Sequence, residues 1–216
     1  MGPFRSGKSA AAVMELFTWA MSLKDSRTCC VRKTYRNLED TVIKTFFEWV
    51  PKQGLGIEWR QADLCFRMQT PLGGTWEVFF RSAESADDIE KFRGFELTNY
   101  WIDEAQEIPQ DVKLVLDGRL SYPTGSSREI FKGILTTNPC DTEHWIYKDF
   151  VMNPLPSHEY WRQGSNENPY LHAEYYQELE ANYRDRPELM RRYVHGEWGA
   201  IFSGKPVYGN EFAWET

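Results

Sequence analysis

At 216 residues the chain is long enough to bury the core of one α/β domain with appendages, and 41% hydrophobic with 26% charged residues excludes a wholly disordered protein. No apolar run approaches the ~20 residues that a membrane helix needs, and the N-terminus lacks the basic-then-apolar order of a signal peptide, so a soluble, unexported protein without a membrane partner is expected. The net charge of -7 has the wrong sign for a protein that coats nucleic acid; residues 1–60 nonetheless carry 10 Lys+Arg against 6 Asp+Glu, so any DNA contact falls to a local basic surface.

The first element is the loop "MGPFRSGKS", which completes the phosphate-binding pattern GxxxxGK[ST] with Gly2, Gly7, Lys8 and Ser9. Such a loop is normally launched by a central buried strand, and only Met1 precedes it. Without that strand the chain is expected to expose apolar flanks and to be prone to aggregate, and an added upstream strand is expected to raise stability and nucleotide affinity. Helical spacing and good helix formers predict a helix from Ser9 to about Leu23. A short apolar strand follows at 27–33, then an amphipathic helix over 37–50 with Asn37 as its cap, stopped by Pro51 and Gly54. Alternating runs at 63–69 and 75–82, separated by "TPLGG", predict a hairpin. The acidic stretch 83–94 reads as a loop or short helix. An apolar strand in 97–108 ends in carboxylates, and Pro109 opens the next helix. Residues 129–139 form another buried strand, 142–151 a helix and 158–164 a strand, and 173–199 a helical pair broken near Pro187. The Gly- and Pro-containing tail 200–216 reads as a linker.

Alternating strands and helices predict an α/β fold with a mostly parallel sheet flanked by helices. The expected division is an ATPase-type core over 1–139, a small helical subregion over 140–199 and the linker 200–216. Cys29, Cys30, Cys65 and Cys140 lack CxxC spacing, which argues against a zinc ribbon or a disulfide framework. His144, His172 and His195 show no metal-like grouping, so structural roles are expected of them.

A triphosphate needs backbone N–H groups converging on its oxygens, a lysine for the β- and γ-phosphates and a hydroxyl for Mg2+. Gly2, Pro3, Phe4, Arg5, Ser6 and Gly7 supply the turn, Lys8 the ammonium and Ser9 the hydroxyl, which points to ATP with Mg2+. Short glycine loops also arise by chance, so a second motif has to decide. It comes at "NYWIDEAQ", where Asp103 is placed to hold Mg2+ through water and Glu104 to orient and deprotonate the attacking water. The plainer alternative for these two is a solvated strand-end pair that caps a helix. In "ILTTNP", Thr136, Thr137 and Asn138 end a buried strand, where Asn138 is placed to sense the γ-phosphate; taken alone, an Asn-Pro turn explains it as well. Arg5 is a candidate to neutralise phosphate charge in cis. Arg93 is one to reach a neighbour's site in a ring, with Arg119 a weaker candidate, and surface salt bridging is the competing reading for both. Aromatic residues after 140 suit core and interface packing better than base stacking.

With these pieces in order, the chain resembles the ATPase domain of a large terminase, the motor subunit with which tailed bacteriophages package DNA. The resemblance rests on "GPFRSGKS", "RGFELTNYWIDEAQEI", "TTNPCDTEHWIY", "ENPYLHAEYYQELE", "YVHGEWG" and "GKPVYGNEF" in that order, the later segments being the narrower ones. It implies a P-loop fold and ATP hydrolysis. Lys8 and Ser9 would serve phosphate and Mg2+, Asp103 the metal and Glu104 catalysis, with Thr136 to Asn138 as the coupling motif and Arg5 as the loop arginine. It also implies a ring of copies, double-stranded DNA, a small terminase subunit and a portal protein as partners, in the host cytoplasm. Family members also carry a strand and an adenine-contacting segment before this loop and continue into a nuclease, so no nuclease activity is expected of this chain. A helicase-like ATPase, or a remnant that only binds nucleotide or partners, are the alternatives.

Overall fold

The computed structural model describes residues 1–54, 56–126, 130–164, 167–172 and 174–199. The expected linker 200–216 lies outside the described residues.

Six strands form one sheet: β1 (Ser26–Arg32), β2 (Ile57–Arg60), β3 (Cys65–Gln69), β4 (Thr75–Ser82), β5 (Asn99–Asp103) and β6 (Lys132–Thr136). Their order is β2-β3-β4-β1-β5-β6. The strands β4, β1, β5 and β6 run parallel, while β2 and β3 add an antiparallel ribbon at one edge. The anticipated hairpin is β3 with β4; the preceding β2 is an addition to it.

Strand periodicity explains why helices cover both faces. On β1 and β5, Cys30 and Trp101 point into one core with Leu16, Phe46, Phe66, Trp76 and Phe80. Cys29, Val31, Tyr100 and Ile102 point into a second core with Phe92, Val112, Leu116 and Ile146. The first core is closed by α1 (Lys8–Ser22), whose Ala12, Val13, Leu16 and Ala20 are buried, and by the helical run 35–49. The second is closed by the helices Glu90–Arg93 and Gln110–Asp117 and by the run beginning at Trp145. Inside the sheet Thr28 Oγ1 donates to Asn99 Oδ1 at 2.5 Å and accepts from Trp76 Nε1 at 2.9 Å, whereas Ser26 Oγ and Asn99 Nδ2 are buried without a partner. Gly133 lets β6 pass Tyr100 closely, since a Cβ there would stand 2.1 Å from the tyrosine ring.

The run 35–49 starts earlier than expected and is capped by Thr34, not Asn37. Thr34 Oγ1 accepts from the Asn37 N–H at 3.1 Å, while Asn37 lies inside the helix. Thr34→Ala is therefore expected to lower the unfolding free energy by about 1 kcal/mol, measured by urea denaturation; an unchanged midpoint would remove Thr34 as the cap.

Residues 158–164, expected as a strand, join no ladder. The backbone of 161–163 instead meets Met1, whose amine donates to Trp161 O at 2.7 Å and whose carbonyl accepts from Gln163 N at 2.9 Å. On the other side Gly2 N donates to Thr137 O at 3.3 Å. Met1 and Gly2 thus run between the end of β6 and residues 161–163, so a strand entering the loop from upstream would have backbone partners on both sides.

The expected helical pair is present as Tyr175–Tyr183 and Pro187–Tyr193, with Pro187 at the first helical position, where its missing N–H costs nothing. Among the described residues no helix is long and apolar enough to cross a membrane.

Candidate functional site

In a parallel sheet, ligands gather beyond the carboxyl ends of the strands. There β1 ends in Arg32, β5 in Asp103 and β6 in Thr136, and α1 begins at Lys8. Helix N-termini present unpaired N–H groups and a positive dipole, which suits an anion.

The loop takes the backbone shape its glycines permit. Gly7, at φ 87°, caps α1 in the left-handed region, where a side chain is strained. Gly2 packs so tightly that a Cβ would stand 2.6 Å from Ser6 Oγ. Arg5 also has positive φ, 58°, and its carbonyl accepts from Asn168 Nδ2 at 2.6 Å. The second half of the chain clasps the outside of the loop. Phe4 stacks on Tyr193 with ring centroids 4.2 Å apart, Phe4 N donates to Tyr193 O at 3.1 Å, and Tyr176 Oη donates to Phe4 O at 2.9 Å.

Lys8 turns its ammonium back onto this loop. Nζ lies within hydrogen-bond reach of Gly2 O (3.0 Å), Pro3 O (2.8 Å), Ser6 Oγ (3.3 Å) and Asn138 Oδ1 (3.1 Å). Burial lowers its pKa, opposed by the nearby Glu104 and Asp103 carboxylates. A phosphate oxygen would replace carbonyls with a charged partner, a stronger acceptor for an ammonium.

Asp103 divides its two oxygens. Oδ1 accepts from Ser9 Oγ at 3.0 Å and from Thr136 Oγ1 at 2.7 Å, and Trp101 Nε1 fixes Thr136 by donating to it at 2.8 Å. Oδ2 faces Arg32 Nε at 3.7 Å. A hydroxyl beside a carboxylate is a hard-oxygen pair that fits Mg2+. Among the described residues no group of three His, Cys, Asp or Glu could hold a metal ion, so a cation here would need nucleotide oxygens and water to complete its shell.

Glu104 follows in the left-handed region, φ 48° and ψ 52°. This conformation costs a non-glycine residue about 1 to 2 kcal/mol, and such strain concentrates at functional positions. Its Oε2 accepts from Asn138 Nδ2 at 2.6 Å and from Gln106 Nε2. Burial raises its pKa, and the Gln106 hydrogen bond opposes that shift.

Lys8, Ser9, Asp103, Glu104, Thr136 and Asn138 therefore converge in one connected set, drawn from three separated segments of chain. Thr137 joins it by donating from Oγ1 to Gln106 Oε1 at 2.6 Å. Two of the candidate arginines, Arg93 and Arg119, stand apart within one chain. Arg93 is exposed and pairs with Glu90 at 2.7 Å, and its carbonyl accepts from Arg119 Nη1 at 3.0 Å. Arg119 O in turn accepts from Leu97 N, which places both at the end of β5 away from Asp103.

Three residues at the site escape a reading by motif. Arg32 Nη1 lies 3.4 Å from both Asp103 O and Glu107 Oε2, and its buried Nε has no hydrogen-bond partner. A cation at the carboxyl end of a central strand is the signal that marks it. Gln106 bridges Glu104 and Thr137. His144 donates from Nε2 to Gln106 O at 3.1 Å and accepts the Ile146 N–H on Nδ1 at 3.2 Å; these two bonds assign the neutral Nε2–H tautomer, in keeping with a pKa that burial lowers.

Comparison with known proteins bears on the chain as a whole. A family model described as phage terminase large subunit matches residues 1–197. The PBSX phage terminase large subunit of Bacillus subtilis (strain 168) is 24% identical over 219 residues, covering 92% of this chain and 48% of that protein. The large terminase of a thermophilic bacteriophage, solved in complex with ADP, superposes with a TM-score of 0.77 at 18% identity, over 92% of this chain and 47% of that one. The large terminase ATPase domain of Thermus phage P74-26 gives 0.61 at 20% identity, over 91% of this chain and 86% of that one. The chain thus spans about half the length of the curated relative and of the ADP-bound terminase.

Proposed function

The chain belongs to the phage terminase large subunit family, and from that premise we propose that it hydrolyses ATP and couples hydrolysis to translocation of double-stranded viral DNA into a procapsid. The observation that carries this reading is the convergence of Lys8, Ser9, Asp103, Glu104 and Asn138 at the carboxyl ends of β5 and β6, beside the N-terminus of α1.

In the proposed reaction a water oxygen attacks the γ-phosphorus, Glu104 takes the proton, and the bond to the β-phosphate oxygen breaks with its electron pair leaving on ADP. Lys8 leaves the carbonyls of Gly2 and Pro3 for the phosphates, and the loop Gly2 to Gly7 lends its N–H groups. Ser9 and Asp103 would hold Mg2+, which supplies positive charge against the phosphate oxygens. Asn138 stands between Lys8 and Glu104, which suits Thr136, Thr137 and Asn138 to reporting the state of the γ-phosphate to β6. Arg5 lies in the loop and is the arginine proposed to act in cis. Arg93, exposed and far from this chain's own Asp103, suits a role at a neighbour's site in a ring of copies, with Arg119 beside it. A small terminase subunit and a portal protein are the further partners, in the host cytoplasm.

The test is ATP turnover with and without double-stranded DNA, paired with binding of a fluorescent ADP. Lys8→Ala is expected to weaken ADP binding about 10-fold or more, because it removes the ammonium that faces the phosphates. Chelation of Mg2+ with EDTA is expected to abolish turnover. Undiminished binding in Lys8→Ala would sink the assignment of the site.

A further inference from the structure

The sheet ends at β2, and among the described residues no strand pairs with its outer edge. In an antiparallel ladder successive residues alternate between bonding to the neighbouring strand and pointing away from it. Gln69 N donates to Gly56 O at 3.1 Å, which makes Gly56, Glu58 and Arg60 the residues that bond to β3. Ile57 and Trp59 therefore turn their backbone groups outward. The Ile57 N–H is taken by Gly54 O at 3.2 Å. The Ile57 carbonyl and both backbone groups of Trp59 have no partner among the described residues.

The side chains of Ile57 and Trp59 share one face of the strand, where they line a groove of about 420 Å³ with Lys52, Gln53 and Gly54. Space of this order takes a discrete side chain. Its aromatic wall is held in place: Trp59 stands edge-on to Phe47 with ring centroids 5.1 Å apart and donates from Nε1 to Gln61 Oε1 at 2.9 Å. Lys52 is exposed at the rim, with Nζ 5.2 Å from the Phe47 ring centroid, and meets no carboxylate among the described residues. Charged side chains commonly guard an edge strand against pairing. Here they are Glu58 and Arg60, which lie on the opposite face, where Arg60 pairs with Glu58 at 3.3 Å and with Asp63 at 3.6 Å. The groove face carries apolar surface and an unpaired cation instead.

We infer that the outer edge of β2 is a docking strand for an extended, acidic segment of a partner protein. The segment adds antiparallel, with an apolar residue opposite Trp59 and a carboxylate two residues later, opposite Ile57. Residues directly opposite one another share a face, so the apolar side chain enters the groove and the carboxylate reaches Lys52. In this register the first of them exchanges both backbone bonds with Trp59, and the second donates to the Ile57 carbonyl. Charge and backbone together select this occupant. A nucleic acid would bring phosphates to Lys52 but offers the edge no row of amides. The strands β3 and β4 separate β2 from β1, so this surface stands apart from Lys8, Asp103 and Glu104, and the inference is independent of the reading of those residues.

The probe is a synthetic peptide, Thr-Thr-Phe-Thr-Glu-Thr-Thr blocked at both ends, titrated into the isotope-labelled full chain while amide shifts and amide exchange are followed by NMR. Saturable shifts confined to β2 and the groove are expected, with a dissociation constant below about 1 mM and a Trp59 N–H whose exchange slows about 10-fold or more at saturation. Methylating the Phe and Glu nitrogens removes the donors that face the Trp59 and Ile57 carbonyls, and is expected to weaken binding about 10-fold or more. Lysine in place of the peptide's glutamate should weaken binding to the parent about 3-fold or more. Lys52→Glu, an exposed change that leaves the core intact, should reverse that preference. Absence of saturable binding up to about 1 mM overturns the proposal. So does undiminished binding of the methylated peptide, which means apolar adhesion without strand pairing, or a charge preference that Lys52→Glu leaves as it was. Two other occupants would announce themselves and overturn it equally. Shifts at Trp59 that grow with protein concentration alone mark edge-to-edge pairing of two copies, and stronger shifts of the same amides with a double-stranded oligonucleotide mark a nucleic-acid contact.

Discussion

Glu104→Gln is expected to lower ATP turnover by about 10²- to 10⁴-fold, the range that a positioned general base contributes, while leaving ADP affinity within about threefold. The substitution keeps the shape of the side chain and an oxygen that can still accept from Gln106 or Asn138, so the contacts on Lys8 and Ser9 that face the phosphates are undisturbed. Its stability should move the other way. The carboxylate is buried beside Asp103, and both conditions raise its pKa, which means that the ionised form is held at a cost in the folded chain. The neutral amide removes that cost, so the thermal midpoint of Glu104→Gln is expected to equal or exceed that of the parent. Loss of turnover together with a lower midpoint would mean that the side chain supports the fold, and the assignment of Glu104 as base would then lose its force.

The same substitution separates Glu104 from its neighbour. Asp103 is tied on both oxygens, by two hydroxyls on one and a guanidinium on the other, so it is fixed where a cation would sit. Glu104 is held only by amides and sits on strained backbone just past the strand. A residue that must move a proton needs that lesser constraint, and one that must hold a metal needs the greater one. On the proposed reading, adjacent carboxylates thus take different tasks from the partners that the fold brings to them.

What was legible in the sequence is what local pattern encodes. The glycines, Lys8 and Ser9 announce a loop opening a helix, and α1 starts at Lys8, one residue before the predicted Ser9. The apolar run into Asp103 and Glu104 reads as a strand ending in carboxylates, and β5 ends at Asp103. The segment before Asn138 is β6, whose polar end meets both Lys8 and Glu104. The helix cap was misplaced because Thr34 and Asn37 are both good capping residues three positions apart, and only the backbone turn at Thr34 decides between them. Residues 158–164 read as a strand, but a strand forms no ladder without a partner of matching length, and the backbone of 161–163 meets only the single residue Met1. Tyr176 and Tyr193 looked like packing material; their contacts to Phe4 connect positions more than 170 residues apart, a distance at which no periodicity carries information. Arg32 was hidden for the same reason. It closes a strand whose apolar centre is plain, while its meaning depends on Asp103 and Glu107 in another part of the chain.

Arg32→Met is expected to cost the fold about 3 to 5 kcal/mol, the penalty for removing one partner of a buried ion pair, against a total stability of about 5 to 15 kcal/mol for a domain of ordinary size. The arginine side chain is 10% exposed and that of Asp103 7%, so solvent offers little screening to the carboxylate left behind. Asp103 Oδ1 would keep the hydroxyls of Ser9 and Thr136, but Oδ2 would face the methionine with no counter-charge. Glu107, at 37% exposure, reaches water and adds less to the loss. Arg32→Lys keeps the charge but surrenders the fork that spans Asp103 O and Glu107, so its cost should fall between those of the parent and Arg32→Met. Urea denaturation of the three chains reads the order directly, and a midpoint for Arg32→Met equal to that of the parent would show that the 3.7 Å pair contributes nothing. A cation bound with nucleotide beside Asp103 would restore the missing positive charge, and a ligand that binds the folded state stabilises it the more, the tighter it binds there. Mg2+ with ADP is therefore expected to raise the midpoint of Arg32→Met by more than it raises that of the parent. On the proposed reading, Arg32 in the parent occupies the electrostatic place that a metal and phosphates would contest, and in Arg32→Met that place is open.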